Sequence, residues 1–489
     1  MKRIIVGLIC LVSTGRMVAA ADCPKHEIRA VWLTTIYGLD WPSAPAVDEE
    51  SRIRQKQELC SILDRLQEAN FNTVFVQARL RGDVIYPSRI EPVAKIFTGT
   101  YGALPGYDPL AFVIDECHRR SMECHAFFVT FPLGSHRVVD EQGSLSVVKK
   151  RPHLCLKYKN EWYLDPGMPE TDDYILSLVK EIVVNYDIDG IQFDYARYPD
   201  KVFPDENSYG MYGHGQSPED WRRTNINRLM ARIHDCVKAE KPWVQISSSP
   251  VGKYRRYERT PHAGWTAYDD VYQDPRAWLE AGHHDMIVPM MYFRRDEFDP
   301  YLDHWLEQAK SRNMVAGLGV YRLNSSEGDW NPDEIGSQID HVRLHGANGC
   351  AFFRTRFVVD NEKGIHTQLK HRYFKYPAQL PPLTWMNDTL PPAPPPEIKV
   401  VRDGNLLKLS WDKAAGHCTY TVYCSLTDSL DTGKAQSILA TGLRTNALSL
   451  IADDDSERGY LFSVTASNRY RIESLPSYET YYYYSSYEK

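Results

Sequence analysis

The feature that most narrows the fold is an alternation running from Arg29 to about Phe353, in which eight short apolar runs take turns with amphipathic stretches of helical period. The runs lie at 30–35, 73–77, 123–130, 190–194, 244–249, 286–291, 315–320 and 350–353. Helical patterns fill 53–69, 109–120, 171–185, 218–240, 275–281, 300–312 and 332–345. Five of these open on a proline (Pro109, Pro218, Pro275, Pro300 and Pro332), as suits a first turn whose N–H has no helical partner. Strand then helix, eight times over, predicts an α/β fold: a (β/α)8 TIM-like barrel. A doubly wound open sheet is the alternative, but the chain lacks the Gly-x-Gly-x-x-Gly turn of that class.

In a barrel the strand interiors are packed with apolar side chains and the C-terminal rim carries the chemistry. Asp194, which ends the run Gly190-Ile191-Gln192-Phe193 and is followed by Tyr195, Ala196, Arg197, Tyr198 and Pro199, is therefore the first catalytic candidate. The plainer reading is a loop cap or an ion pair with Arg197. Long insertions after the strands place a groove on the same rim: 78–107 brings Arg79, Asp83, Tyr86 and Glu91, and 195–217 brings Tyr209, Tyr212 and His214. Around Asp194 the expected binding residues are Trp32, Gln77, Arg79, Tyr86, His125, Tyr195, Arg197, Tyr292, Tyr321 and Arg354, each at or near a strand end. His125 lies deeper in its strand and reads equally as a core histidine. Ser247-Ser248-Ser249 lacks the Gly-x-Ser-x-Gly elbow of a serine hydrolase. His283-His284-Asp285 precedes the sixth strand, on the stability face, so neither a metal nor a cofactor is expected.

The 489 residues, 43% hydrophobic and 25% charged, are enough for two globular domains. A net charge of −7 without a Lys/Arg run gives no footprint for nucleic acid, so a neutral partner fits better. The 31 tyrosines and 11 tryptophans offer faces that stack on sugar rings. Lys2 and Arg3, the apolar stretch 4–12 and Val18-Ala19-Ala20-Ala21 make residues 1–21 a secretory signal peptide. No stretch reaches the roughly 20 apolar residues of a membrane span. Cys23 is disfavoured as a lipid anchor by Asp22 before it. The nine cysteines beyond Cys10 have no Cys-x-x-Cys spacing and read as buried thiols with few or no disulfides.

Residues 27–376 form the barrel, 377–396 a proline-rich linker and 397–487 an all-β unit. Strands are expected at 406–411, 420–424, 460–468 and 474–478, and with Trp411 and Tyr420-Thr421-Val422-Tyr423 the unit resembles a fibronectin type III sandwich.

Three further stretches carry a resemblance: Val76 to Ser88, Gly106-Tyr107-Asp108-Pro109-Leu110, and Asp189 to Pro199. With Trp221-Arg222-Arg223, Tyr268-Asp269-Asp270, Asp274, Trp278 and Gly317 to Tyr321, they resemble the glycosyl-hydrolase-like family 10 proteins over roughly 27–372. The resemblance implies a secreted bacterial barrel that cleaves glycosidic bonds, with cell-wall glycan as one substrate class. The chain departs from many members at Tyr195 (a second aspartate there), at Thr130-Phe131-Pro132-Leu133 and at Phe293. Glycoside hydrolysis needs two carboxyl groups. The fifth to eighth strands end without one, so a loop must supply the partner: Asp83 first, then Asp165, Asp269 and Asp274. A glycan-binding barrel without turnover is the other reading, favoured if Asp194 has no carboxyl partner.

Overall fold

The structure is a computed structural model that describes residues 23–257, 264–386, 390–451 and 459–483; residues 1–21, where a signal peptide is expected, lie outside these. Eight parallel strands close into a barrel: β1 Ile28–Leu33, β2 Thr73–Arg79, β3 Glu123–Val129, β4 Gly190–Asp194, β5 Gln245–Ser248, β6 Met286–Ile287, β7 Asn313–Leu318 and β8 Gly349–Phe352. Each pairs with the next in sequence and β8 closes on β1, Ile28 opposite Gly349. That seam requires a glycine, because a Cβ on Gly349 would stand 2.0 Å from the Ile28 carbonyl oxygen.

The outer wall is built from α1 Glu49–Glu68, α2 Pro109–Arg119, α3 Pro169–Asn185, α4 Pro218–Glu240, α5 Pro275–Glu280, α6 Arg295–Ala309 and α7 Pro332–Leu344. Prolines open α2, α3, α4, α5 and α7, and side-chain caps from Asp108, Ser217, Asp274 and Asn331 satisfy first-turn amides. Pro300 is the exception. It lies inside α6, which starts earlier, at Arg295, because Phe298, Tyr301, Leu302 and Trp305 form one buried face spanning the proline. Outward-facing strand side chains join the helices in one large core, whereas Ile28, Ala30, Trp32, Phe75, Phe127, Val129, Met286, Val288, Val315 and Ala351 plug the barrel itself.

Between β3 and α3 the chain builds a small antiparallel sheet from Pro132–Ser135, Cys155–Tyr158 and Glu161–Leu164. Tyr158 pairs with Glu161 across the two-residue turn Lys159-Asn160, and Lys159 adopts a left-handed φ of 55°. No strand was expected here from the sequence.

The C-terminal unit is two facing sheets. One holds Lys399–Asp403, Leu406–Ser410 and Ala447–Ile451; the other holds Ile438–Leu443, Thr419–Ser425, Tyr460–Ser467 and Thr480–Tyr482. The expected strand at 474–478 is a loop edge, with the regular strand at Thr480–Tyr482 instead. The segment from 377 to 386 is packed rather than free: Gln379 bonds Thr421, Tyr423 and Glu473, Leu383 is buried, and Trp385 Nε1 donates to Asp285 Oδ1 at 2.9 Å. The sandwich sits against the strand-start end of the barrel, where Arg471 pairs with Glu123, Arg444 with Asp187 and Asp189, and Arg469 covers the Trp243 ring at 4.2 Å.

Candidate active site

Asp194 ends β4 at the C-terminal mouth, where a barrel carries its chemistry. Its backbone carbonyl accepts from the Thr130 N–H at 2.9 Å and hydroxyl at 2.8 Å, fixing the strand end to the start of the β3 loop. Its carboxylate accepts from the Tyr195 N–H at 2.7 Å, and Tyr195 turns the chain out of the strand with a left-handed φ of 51°. Such a conformation is costly for a tyrosine and persists only where its surroundings hold it. Burial raises the Asp194 pKa above the ordinary carboxylate value, against the opposing pull of Arg197, the Tyr195 N–H and the Ser249 hydroxyl.

An aromatic basin surrounds this carboxyl. Tyr292 stacks on Phe353 with centroids 5.5 Å apart, Tyr321 meets both edge-on at 5.7 and 5.8 Å, and Phe353 reaches Trp32 at 6.1 Å. Burial, and then Asp194, push the Tyr292 hydroxyl far above its usual pKa, so it stays a neutral donor. Trp32 itself is buried, and its Nε1 donates to Gln192 Oε1 at 2.6 Å, so it forms the floor under the basin. Arg197 lies 4.7 Å above the Tyr195 ring. The half-exposed Tyr195, Arg197, Tyr292, Tyr321 and Phe353 are the faces a sugar ring would meet.

The other expected binding residues have different work. Arg79 is fully buried, and its guanidinium is spent on Glu91, at 2.8 and 2.6 Å, and on the Thr130 carbonyl. Its guanidinium has no exposed surface to offer a substrate. Tyr86 is also fully buried, edge-on to Tyr186 behind the strands. His125 occupies the strand-start half of the barrel interior, in space left by Gly190, whose Cβ would stand 2.3 Å from Nδ1; its Nε2 meets Glu123 at 3.0 Å. It is the core histidine of the alternative reading. Gln77 is at the rim but buried, its Oε1 accepting from the Thr35 and Ile36 amides and so shaping the β1 loop. Arg354 donates to the Leu39 carbonyl and to Asp40 at 2.7 Å, which leaves it a brace between β8 and the β1 loop rather than a free clamp.

Asp83 and Asp194 are not brought together. Asp83 is nearly buried beside a cavity of about 460 Å³ lined by Tyr37, Arg81, Lys95, Tyr101 and Glu141 among others. Burial raises its pKa to about 7, and its charged neighbours are Glu91, Arg79 and Arg81. Asp165 and Asp274 accept from the Gly167 and Ala277 amides of their own loop and helix start, and Asp269 accepts from the Thr266 hydroxyl at 3.4 Å. Among the described residues, the charged group that acts on Asp194 is Arg197. Glu161, like Asp194, raises the pKa of the Tyr195 hydroxyl, but it is not among the groups that act on Asp194 itself. Glu161 stands on the hairpin after β3, paired with Arg81 and accepting from the Tyr163 hydroxyl at 3.2 Å. The one sequence hint of this hairpin was the polar pair Lys159-Asn160 between two short aromatic-bearing runs, too short to read as strands.

Sequence and structure comparisons meet this geometry. The family model for glycosyl hydrolase-like 10 proteins matches residues 27–330. The chain belongs to this family. Glycosyl hydrolase YngK of Bacillus subtilis (strain 168) is 32% identical over 479 residues, covering 93% of each chain. Glycosyl hydrolase DigH of Escherichia coli (strain K12) is 34% identical over 378 residues, covering 70% of this chain and 85% of its own. Among solved structures, the glycoside hydrolase domain of PgaB (BpsB) from Bordetella bronchiseptica superposes with a TM-score of 0.49 at 13% identity, over 71% of this chain and 98% of that one. As a member of this family the protein is a glycoside hydrolase.

Proposed function

We propose that the protein is a secreted hydrolase that cuts a polysaccharide or cell-wall glycan by carboxylate acid–base chemistry, with Asp194 as the reacting carboxyl. The observation that carries this reading is a buried carboxyl at the mouth of a closed barrel, ringed by tyrosines, with its pKa held up. A carboxyl that keeps its proton to higher pH is suited to give it to the departing glycosidic oxygen. Glu161, across Tyr195, is the second carboxylate in this scheme, poised by Arg81. Secretion follows from residues 1–21, and Cys23 as a packed thiol, 3.4 Å from the Tyr373 carbonyl, supports release without a lipid anchor. Seven strands in two sheets, with Trp411 against Tyr420, support a fibronectin type III-like C-terminal unit.

Digestion of a panel of purified glycans, including peptide-stripped peptidoglycan strands, with mass readout of products tests the reading. Asp194→Asn should lower turnover by at least about 10² to 10⁴ while leaving the melting temperature unchanged or raised, since it removes a desolvated charge and keeps the shape. Activity lost only in proportion to folded protein would make Asp194 structural. Glu161→Gln should cost about 10² in kcat; a change under two-fold would exclude Glu161 as the second carboxylate.

A further inference from the structure

The outer wall holds a cluster the catalytic reading does not use. On α7, His341 and His345 are four residues apart and therefore on one face, their rings stacked with centroids 4.0 Å apart. Opposite them on α6, Asp299 and Asp303 repeat the same spacing. Asp303 Oδ1 is 2.6 Å from His345 Nδ1, and Asp299 Oδ1 is 3.7 Å from His341 Nε2. That His341 nitrogen is buried and makes no hydrogen bond. One ligand atom each from Asp303, His341 and His345 lies within 4.8 Å of the others.

We propose that Asp303, His341 and His345 form a binding site for a divalent transition-metal ion of the zinc class, clamping α7 to α6. The donor set decides the class of ion. Two imidazoles with one carboxylate suit zinc and its neighbours, whereas magnesium and calcium take oxygen ligands. The geometry is close to ready: a tetrahedral ion about 2.0 to 2.2 Å from each donor sets those donors roughly 3.3 to 3.6 Å apart. Side-chain rotation would have to open the Asp303–His345 pair from 2.6 Å and draw any donor pair wider than that range together, all within the 4.8 Å spread. Three protein ligands leave the fourth position to water, on the side where His345 is exposed. With His341 ligating through Nδ1, its Nε2 faces Asp299 at 3.7 Å, and Asp299, held by Arg295 at 2.7 Å, takes the place of the outer carboxylate of such sites. The cluster joins the middle of α6 to the C-terminal end of α7 in the outer helical wall, away from Asp194 at the barrel mouth. The ion therefore has a structural role and takes no part in glycoside cleavage.

The test uses the full-length protein freed of metal by chelation, then titrated with Zn²⁺ by calorimetry and followed by melting temperature. The expected result is one tight zinc equivalent per chain, of micromolar or lower Kd, that raises the melting temperature. His345→Ala and Asp303→Asn, at partly exposed positions that folding tolerates, should each weaken that equivalent at least ten-fold and abolish the thermal shift. His341→Ala should do the same, and circular dichroism checks its fold. Mg²⁺ should give neither signal. Absence of a saturable zinc equivalent, or equal binding by His345→Ala and Asp303→Asn, as would follow if the free cysteines were the ligands, overturns the assignment.

Discussion

Asp83 shows how one side chain's surroundings set its chemistry. An unfolded aspartate titrates near 3.8, whereas burial raises the folded Asp83 to about 7. Between those values the folded state binds more protons than the unfolded one, so stability falls as pH rises through that window and levels off above it. Asp83→Asn keeps an acceptor for the Arg81 amide and removes the ionisation. The variant should melt higher than the parent at pH 8, with the difference shrinking below about pH 5; a constant difference across a pH series would mean the carboxyl is not titrating. At this scale the sequence was informative about Asp194, because a carboxylate ending an apolar strand has few structural roles. It misplaced Arg79, Tyr86 and Arg354, since residue type cannot show that a partner such as Glu91 or Asp40 has already taken the charge.

The Arg79–Glu91 pair is best weighed as a link between elements. Both side chains are fully buried, and Tyr174 on α3 adds its hydroxyl to Glu91 at 2.9 Å, so β2, its own loop and α3 meet at one guanidinium. Removing one member of a buried pair leaves an uncompensated charge, at a cost of about 3–5 kcal/mol. Glu91→Ala should therefore lower stability by about that amount, read by urea denaturation. An Arg79→Met/Glu91→Leu double substitution should cost markedly less than Glu91→Ala, because it removes both desolvated charges together. The long helices were legible from period and proline placement. The Glu161 hairpin was not, for its strands are four residues each and pack as a flap on the rim rather than in the core. Likewise β6 pairs over only Met286–Ile287, where an apolar run of six had suggested a full strand.

Across the whole molecule, the sandwich is joined to the barrel by charge. Burial works against Glu123, yet Arg471 and the His125 hydrogen bond hold its pKa below the ordinary value, and Gln245 donates to the same carboxylate at 3.1 Å. Stability from a depressed carboxylate is present above its unfolded pKa and is lost as pH falls through the lower folded one. Arg471→Ala should cost about 1–3 kcal/mol at pH 7, between the buried and exposed limits because both groups keep some solvent contact. The loss should fade in acid. A melting temperature unchanged at pH 7 would show that the interface contributes nothing to barrel stability, and the sandwich would then be a tethered module after all.

The order of eight strands and seven principal helices, the closed barrel and the mouth position of Asp194 were set by local signals: period, proline placement and the end of an apolar run. Those signals act within about a dozen residues, and strand-to-helix succession leaves little freedom in topology. Which arginines are already paired, that Asp83 turns away to its own cavity, and how the sandwich seats on the barrel were decided by tertiary structure. Pairings between residues as distant as Arg471 and Glu123 depend on which side chains burial brings within hydrogen-bond reach, and that is a property of the packed chain.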